Sequence, residues 1–467
     1  MIRTAVTEYG TVKGLPADDP RVTVFKGIPF AKPPVGDLRW RAPEPTDKWE
    51  GVRECYSFAP ACMQDAPSTD PNDLYAREFH VDPDIDISED SLYLNVWTGA
   101  KSTSEKLPVL VWIYGGVFQW GYTSEMEFNG ERLARHGIVV VSVAYRLGAF
   151  GFLAHPELTK ENPASPTNFG FLDQQAGLEW VYRNIAAFGG DPENITLGGQ
   201  SAGGASVMSQ LANPKSASMI GKVSIMSGLI RNPFAKDDII QPKNIDTVYK
   251  NGEDFITFLG CSSVNEARKI DACNIRDAYA KYAKDHPRFV PCIDNVFIKK
   301  DPYEMLVSGE LPDIPIFTGY TKDEFPAHLP TSADNNDVKA MADIYEKDGA
   351  KMFNIVCETV RRTSARLVEN GMKSPVFTYR FGPSVPGDDG AGACHSFDLW
   401  FFFETLQKCW RPYNGMHYAL ARRMCDYWSN FIKNGDPNGE GYDGKKLPVW
   451  DPVSSSDSPR YEMIFRE

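Results

Sequence analysis

The sequence predicts an α/β fold, with a mostly parallel central sheet flanked by helices. Three observations carry that expectation. Leu107–Tyr114 and Ile138–Tyr145 are continuous apolar runs rich in β-branched residues, as suits strands covered on both faces. Helix-like segments alternate with short strand-like ones around and after them. And 467 residues, 42% hydrophobic and 24% charged, are enough to bury a large core and unlike a disordered or fibrous chain.

In chain order, the N-terminal third reads as short strands. Between the two apolar runs, Glu127–Gly137 has a helical pattern that ends at a glycine. Leu172–Phe188 is a longer helix, with Gly189-Gly190-Asp191-Pro192 as its stop. Short strands follow at Ile195–Gly198 and Val223–Met226. The chain then turns polar and helix-prone over Asp237–Lys284 and again over Asn336–Asn370, with strand-like Asp313–Tyr320 between them and Val376–Phe381 after. We read one domain over residues 1–467, with helical insertions at about 231–310 and 325–375 that pack over the sheet edge as a lid or side subdomain.

The charge sum of 49 Lys and Arg against 62 Asp and Glu is −13, which disfavours nucleic acid and anionic membrane surfaces as partners. The apolar runs fall far short of the ~20 residues that a membrane span needs. The N-terminal MIRTAVTEYGTVKG has no apolar core followed by a small-residue cleavage site, so no secretory signal is read. Nine cysteines, odd in number and without a CxxC pair, read as reduced thiols of a cytoplasmic protein, with neither a zinc nor a redox centre. No cofactor and no metal are expected. The expected partner is a small-molecule substrate, and the oligomeric state is left open.

The chemistry starts at Gly199-Gln200-Ser201-Ala202-Gly203, a G-x-S-x-G pattern. It is short enough to arise by chance, and its context gives it weight. It follows a short strand and opens a small-residue run that can begin a helix, the setting in which a serine hydroxyl is exposed at the top of a sheet. A serine needs a neighbouring base to become a nucleophile. Of the seven histidines, His286, His328, His395 and His417 lie after Ser201. His395 is the best candidate, because Gly387–Ser396 is a loop of small residues after a strand, able to reach across the sheet top. An acid is expected at the end of a strand between them. Asp323 and Glu324 both qualify, and adjacent side chains in extended chain point opposite ways, so spacing leaves the choice open. Trp112–Gly121 carries Gly115-Gly116 after a buried strand, where backbone N–H groups can approach a developing oxyanion.

Longer motifs carry a family resemblance. Phe25–Trp40, Ser88–Trp97, Asn168–Asp173, Asn184–Asn194 and Ser201–Val207 resemble segments of the type-B carboxylesterase family, which includes the cholinesterases, and the likeness runs from about Thr11 to about Pro452. The resemblance implies an α/β-hydrolase fold and ester hydrolysis through an acyl-enzyme. It implies Ser201 as nucleophile, Glu324 as acid, His395 as base, and Gly116, Val117 and Ala202 as oxyanion donors. It also matches Ser227 to a serine that supports the histidine loop in relatives.

The chain departs from that pattern in several places. Ser91 stands where secreted relatives carry a cysteine, leaving Cys62 without its usual partner, while Cys261 and Cys273 match the spacing of another family disulfide. Val117 replaces a glycine. Valine keeps the backbone N–H, and an ordinary negative φ is expected there because a β-branched residue is strained at positive φ. Gln200 replaces a glutamate, and no tryptophan occurs between Gly51 and Asn95, where cholinesterases carry one that holds choline. The reading is a serine carboxylesterase for small or aromatic esters. The alternatives are a catalytically silent binding relative and a lipase.

Overall fold

The apolar runs become the centre of a ten-stranded sheet. The computed structural model describes residues 1–229, 242–324, 356–357, 359–454 and 462–466. We number the strands of this sheet β1 (Leu15–Pro16), β2 (Thr23–Pro29), β3 (Tyr93–Thr98), β4 (Leu107–Ile113), β5 (Val139–Val143), β6 (Gly190–Gln200), β7 (Lys222–Met226), β8 (Ile316–Thr321), β9 (Val376–Phe381) and β10 (Glu462–Phe465). Their order across the sheet is β10-β9-β8-β7-β6-β4-β5-β3-β2-β1. From β5 to β10 every pairing is parallel, and β1, β2 and β3 add an antiparallel margin. Every residue of β5 is buried, as the unbroken Val139-Val-Val-Ser-Val143 requires of a strand covered on both faces.

The covering helices include α1 (Phe169–Asn184), α2 (Ala202–Ala212), α3 (Ile245–Phe258), α4 (Ala272–Tyr282), α5 (Asp398–Phe402) and α6 (Gly415–Asn434). Helix α6 is capped by Asn414, whose side chain accepts from the backbone N–H groups of Met416 and His417, and it stops at Gly435 with φ 76°. Two family-like segments are joined by a buried ion pair, with Arg39 Nε and Nη2 each 2.6 Å from a Glu89 oxygen. A second pair holds the start of α1 to the end of β5, with Arg146 Nε and Nη2 both 2.7 Å from Asp173. Part of the first insertion appears as α3 and α4, packed through Phe255, Tyr282 and Phe289. Residues 231–241 of that insertion, and most of the second, lie outside the described residues.

The strand order locates the site. After β4 the chain steps to β5 on one side, then returns to place β6 on the other side of β4. In open α/β sheets, ligands bind at the carboxyl ends of strands where the order reverses in this way. The loops that leave β4 and β6 are Tyr114–Gly121 and the turn at Ser201.

Candidate active site

Ser201 sits between the last residue of β6 and the first of α2, with φ 56° and ψ −124°. Such a conformation is costly for a non-glycine residue and persists only where the surroundings over-determine it. Here the Ser201 N–H donates to Met226 O on β7 at 2.9 Å. The glycines on either side have no room for a side chain. A Cβ on Gly203 would lie 2.1 Å from Ile113 O on β4, and one on Gly199 would lie 2.4 Å from the Gly203 carbonyl carbon. Helix α2 is thereby drawn onto the sheet, and Ser201 stands at its top, 8% exposed.

The two carboxylates offered by the sequence part company after β8. Glu324 is fully buried and is in hydrogen-bond contact with His395 Nδ1. Its other oxygen accepts from Ser227 Oγ at 2.7 Å and from the Thr321 N–H at 2.8 Å. Ser227 therefore holds the Glu324 carboxylate itself, whereas the resemblance implied support of the histidine loop. Asp323 turns the other way and accepts from the Ala393 N–H at 2.9 Å, bracing the loop that carries His395. The His395 N–H donates to Glu324 O at 2.9 Å, so backbone and side chain both fix the ring.

Of the other histidines after Ser201, two are engaged elsewhere. His286 stacks on Tyr282 at 4.0 Å between ring centroids, His417 joins the cap of α6, and His328 lies outside the described residues.

The β4 loop packs directly beside Ser201, since a Cβ on Gly115 would lie 3.1 Å from Ser201 Cβ. Gly116 O accepts from the N–H groups of Gln119 at 2.8 Å and Trp120 at 3.0 Å, closing a tight turn around Val117 and Phe118. Val117 has φ 55° and Phe118 has φ 61°. The ordinary φ expected at Val117 is thus overturned, because the turn needs a left-handed conformation that only glycine takes without cost. The loop is pinned by side chains that the sequence did not single out. Gln119 Nε2 donates to Phe289 O at 2.8 Å and its oxygen accepts from Tyr279 at 2.8 Å, while the Phe118 ring meets Phe152 and Phe171.

The Carboxylesterase family model matches residues 3–359 and 347–466, nearly the whole chain. The chain belongs to the carboxylesterase family. It is similar to the cholinesterase of Mus musculus, 31% identical over 502 residues that cover 95% of this chain and 81% of that one. It is similar to the acetylcholinesterase of Bungarus fasciatus, 29% identical over 518 residues that cover 98% of this chain and 82% of that one. Among solved structures it resembles a thermophilic PNB esterase (TM-score 0.81, 28% identity, 99% of this chain and 96% of that chain). A second PNB esterase structure gives a TM-score of 0.80 at 28% identity, over 99% of this chain and 95% of the other. The fold is that of the α/β-hydrolases, and the protein is a serine carboxylesterase.

Two further features of this carboxylesterase escaped the sequence reading. Gln200 Nε2 lies 3.0 Å from His395 Nε2. With His395 Nδ1 facing the Glu324 carboxylate, Nε2 is left as the acceptor and the Gln200 amide as the donor. Asp398, three residues beyond His395, is fully buried and accepts from Tyr379 OH at 2.6 Å, while its Oδ1 has no hydrogen-bond partner among the described residues. Burial pushes this carboxyl up to about 7, against the lowering by Tyr379. The thiols are all free, Cys261 and Cys273 included, and burial pushes Cys62 beside Ser91 up to about 12. Among the described residues no helix is long and apolar enough to cross a membrane.

Proposed function

We propose that Ser201 is the nucleophile of this esterase, His395 its general base and Glu324 the group that orients His395. Ser201 Oγ attacks the ester carbonyl carbon as His395 Nε2, released from the Gln200 amide, takes its proton. The carbonyl oxygen becomes an oxyanion facing the backbone N–H groups of Gly116, Val117 and Ala202. His395 returns the proton to the leaving alkoxide, and water then repeats the sequence on the acyl-enzyme. Glu324 stabilises the imidazolium in both halves.

The observation that carries this reading is the buried Glu324–His395 contact set beside a serine on a strained strand-to-helix turn. The proposed substrates are small or aromatic carboxylic esters that carry no charge. Val117 adds bulk to the oxyanion loop, and Gln200 puts an uncharged amide beside His395, so neither residue favours a quaternary ammonium group. We propose further that the whole chain works as a single domain and that the enzyme is cytoplasmic.

The test is covalent labelling by a serine-directed phosphonate, with turnover of p-nitrophenyl esters of increasing acyl length. Ser201→Ala should abolish labelling and reduce turnover by several orders of magnitude. Labelling that survives in Ser201→Ala would remove Ser201 from the mechanism. Turnover that rises steadily with acyl length would instead favour a lipase.

A further inference from the structure

Another buried polar cluster joins three elements that the triad does not use together. His136 ends the short helix Glu131–Arg135 and leads into β5. Glu404 follows α5, and Cys425 and Asp426 lie within α6. One potential ligand atom from each of His136, Glu404 and Cys425 lies within 4.8 Å of the other two. His136 Nε2 is 3.9 Å from Glu404 Oε2, and its Nδ1 is 3.6 Å from Asp426 Oδ1. Cys425 is fully buried, and Glu404 and Asp426 are 8% and 6% exposed.

Two buried carboxylates beside a thiol need compensating positive charge, which a protonated His136 supplies between Glu404 and Asp426 and which a bound cation would supply in its place. Arg422 reaches Glu404 Oε1 at 3.4 Å with its own side chain 56% exposed, and Arg132 adds positive charge near Glu404. The Tyr442 N–H donates to Asp426 Oδ1 at 3.0 Å, and Cys425 Sγ has Ser429 Oγ at 3.9 Å. Glu404 Oε2 is left turned towards His136. Glu404 also holds φ 52°, a strained value for a non-glycine residue.

We propose that His136 Nε2, Glu404 Oε2 and Cys425 Sγ form a binding site for a divalent metal ion of the zinc class. A thiolate, an imidazole and a carboxylate are the donors such an ion takes, at about 2.0–2.3 Å. A tetrahedral site of that size needs donor separations of about 3.5 Å, so the groups must close by roughly 1 Å, within the reach of side-chain rotation. Asp426 Oδ1, 3.6 Å from the opposite ring nitrogen, would close on it to orient the metal-bound histidine. Water completes the coordination. The absence of a CxxC pair is no obstacle, because the ligands come from residues 136, 404 and 425. The ion would clamp the segment that runs from His395 through α5 onto α6 and the start of β5.

The test uses the full-length enzyme, stripped with a chelator, desalted and titrated with cobalt(II) and then zinc(II). The expected result is a thiolate-to-cobalt charge-transfer absorption that saturates at one equivalent and is abolished by zinc. Metal analysis after desalting should find one zinc per chain. Cys425→Ser should lose both signals, and Asp426→Asn should bind zinc about 10–100-fold more weakly. Ester turnover by the variants reports that they are folded. Wild-type enzyme without the absorption overturns the proposal whatever the variants do. So does a full zinc equivalent retained by Cys425→Ser, which would put the ion on other groups.

Discussion

On the β6 side of the site, Ser201 is strained at φ 56° and hemmed in by glycines that leave no space for a methyl group. On the β4 side, Val117 and Phe118 are strained at 55° and 61°, and there the strained residues carry the bulk themselves. The first strain falls on the proposed nucleophile, and its neighbours supply the room. The second falls on Val117, whose proposed role needs only its backbone N–H and leaves its side chain to shape the cleft, and on Phe118, whose ring anchors the loop on Phe152 and Phe171. The β6 side should therefore tolerate almost no change, and the β4 loop should be adjustable.

Four experiments break or sharpen that contrast. The largest effect is expected for Glu324→Gln, with kcat down by about ten-thousand-fold, against a loss of less than about tenfold for Asp323→Asn. The asymmetry follows from the opposite directions of the two side chains, and comparable losses would undo the assignment. Next comes Gly203→Ala. Its methyl group would meet the Ile113 carbonyl of β4, so a loss of about 3 kcal/mol in unfolding free energy should accompany loss of activity. A stable, active Gly203→Ala enzyme would mean that the turn is looser than its geometry implies.

Asp398 offers a graded test on the same side. Its native pKa of about 7 lies above the ordinary 3.8, so the native state holds a proton that the unfolded chain has released. Stability from this group is present below about pH 4 and declines as pH rises to about 7, by up to about 1.4 kcal/mol per unit. Asp398→Asn removes that slope, so its Tm advantage over the wild type should grow from about pH 5 to about pH 8. A constant difference would show that the carboxyl titrates normally. The smallest effect is expected for Val117→Gly. Relief of a positive φ at a β-branched residue should stabilise the fold by about 1 kcal/mol after the entropy cost of glycine. The variant should also hydrolyse esters of bulky tertiary alcohols better relative to small primary ones. Unchanged discrimination would mean that the valine side chain points away from substrate.

Much of the fold was legible, because β4 and β5 are covered on both faces and so read as unbroken apolar runs. Boundaries were less so. The Gly189–Pro192 helix stop was read correctly, but β6 already pairs with β4 at Gly190, ahead of a register shift before Ile195. The helix expected over Glu127–Gly137 shortens to Glu131–Arg135. Around the site, the small-residue character of Gly387–Ser396 was enough to single out His395, whereas spacing left Asp323 and Glu324 open and only the family resemblance chose Glu324; the backbone pairing of Asp323 with the His395 loop gives the physical reason the two diverge. Gln200, Gln119 and Asp398 depend on contacts across 19 to 195 residues, which no local pattern encodes. Val117 was misjudged because its strain comes from the turn closed by Gly116, not from the valine itself.

The strand order has one more consequence, for self-association. A long sheet of mostly buried, β-branched strands would template pairing with other chains if its margins were extended ladders. Here the sheet ends on its two shortest strands. At one edge β1 is only Leu15–Pro16, and proline has no N–H to offer a partner. At the other, β10 is Glu462–Phe465, with the Glu462 carboxylate held 2.8 Å from Arg361. A charged pair at one rim and a proline at the other leave an approaching strand little to bond to, so the most aggregation-prone part of the sequence is kept in the middle of the sheet.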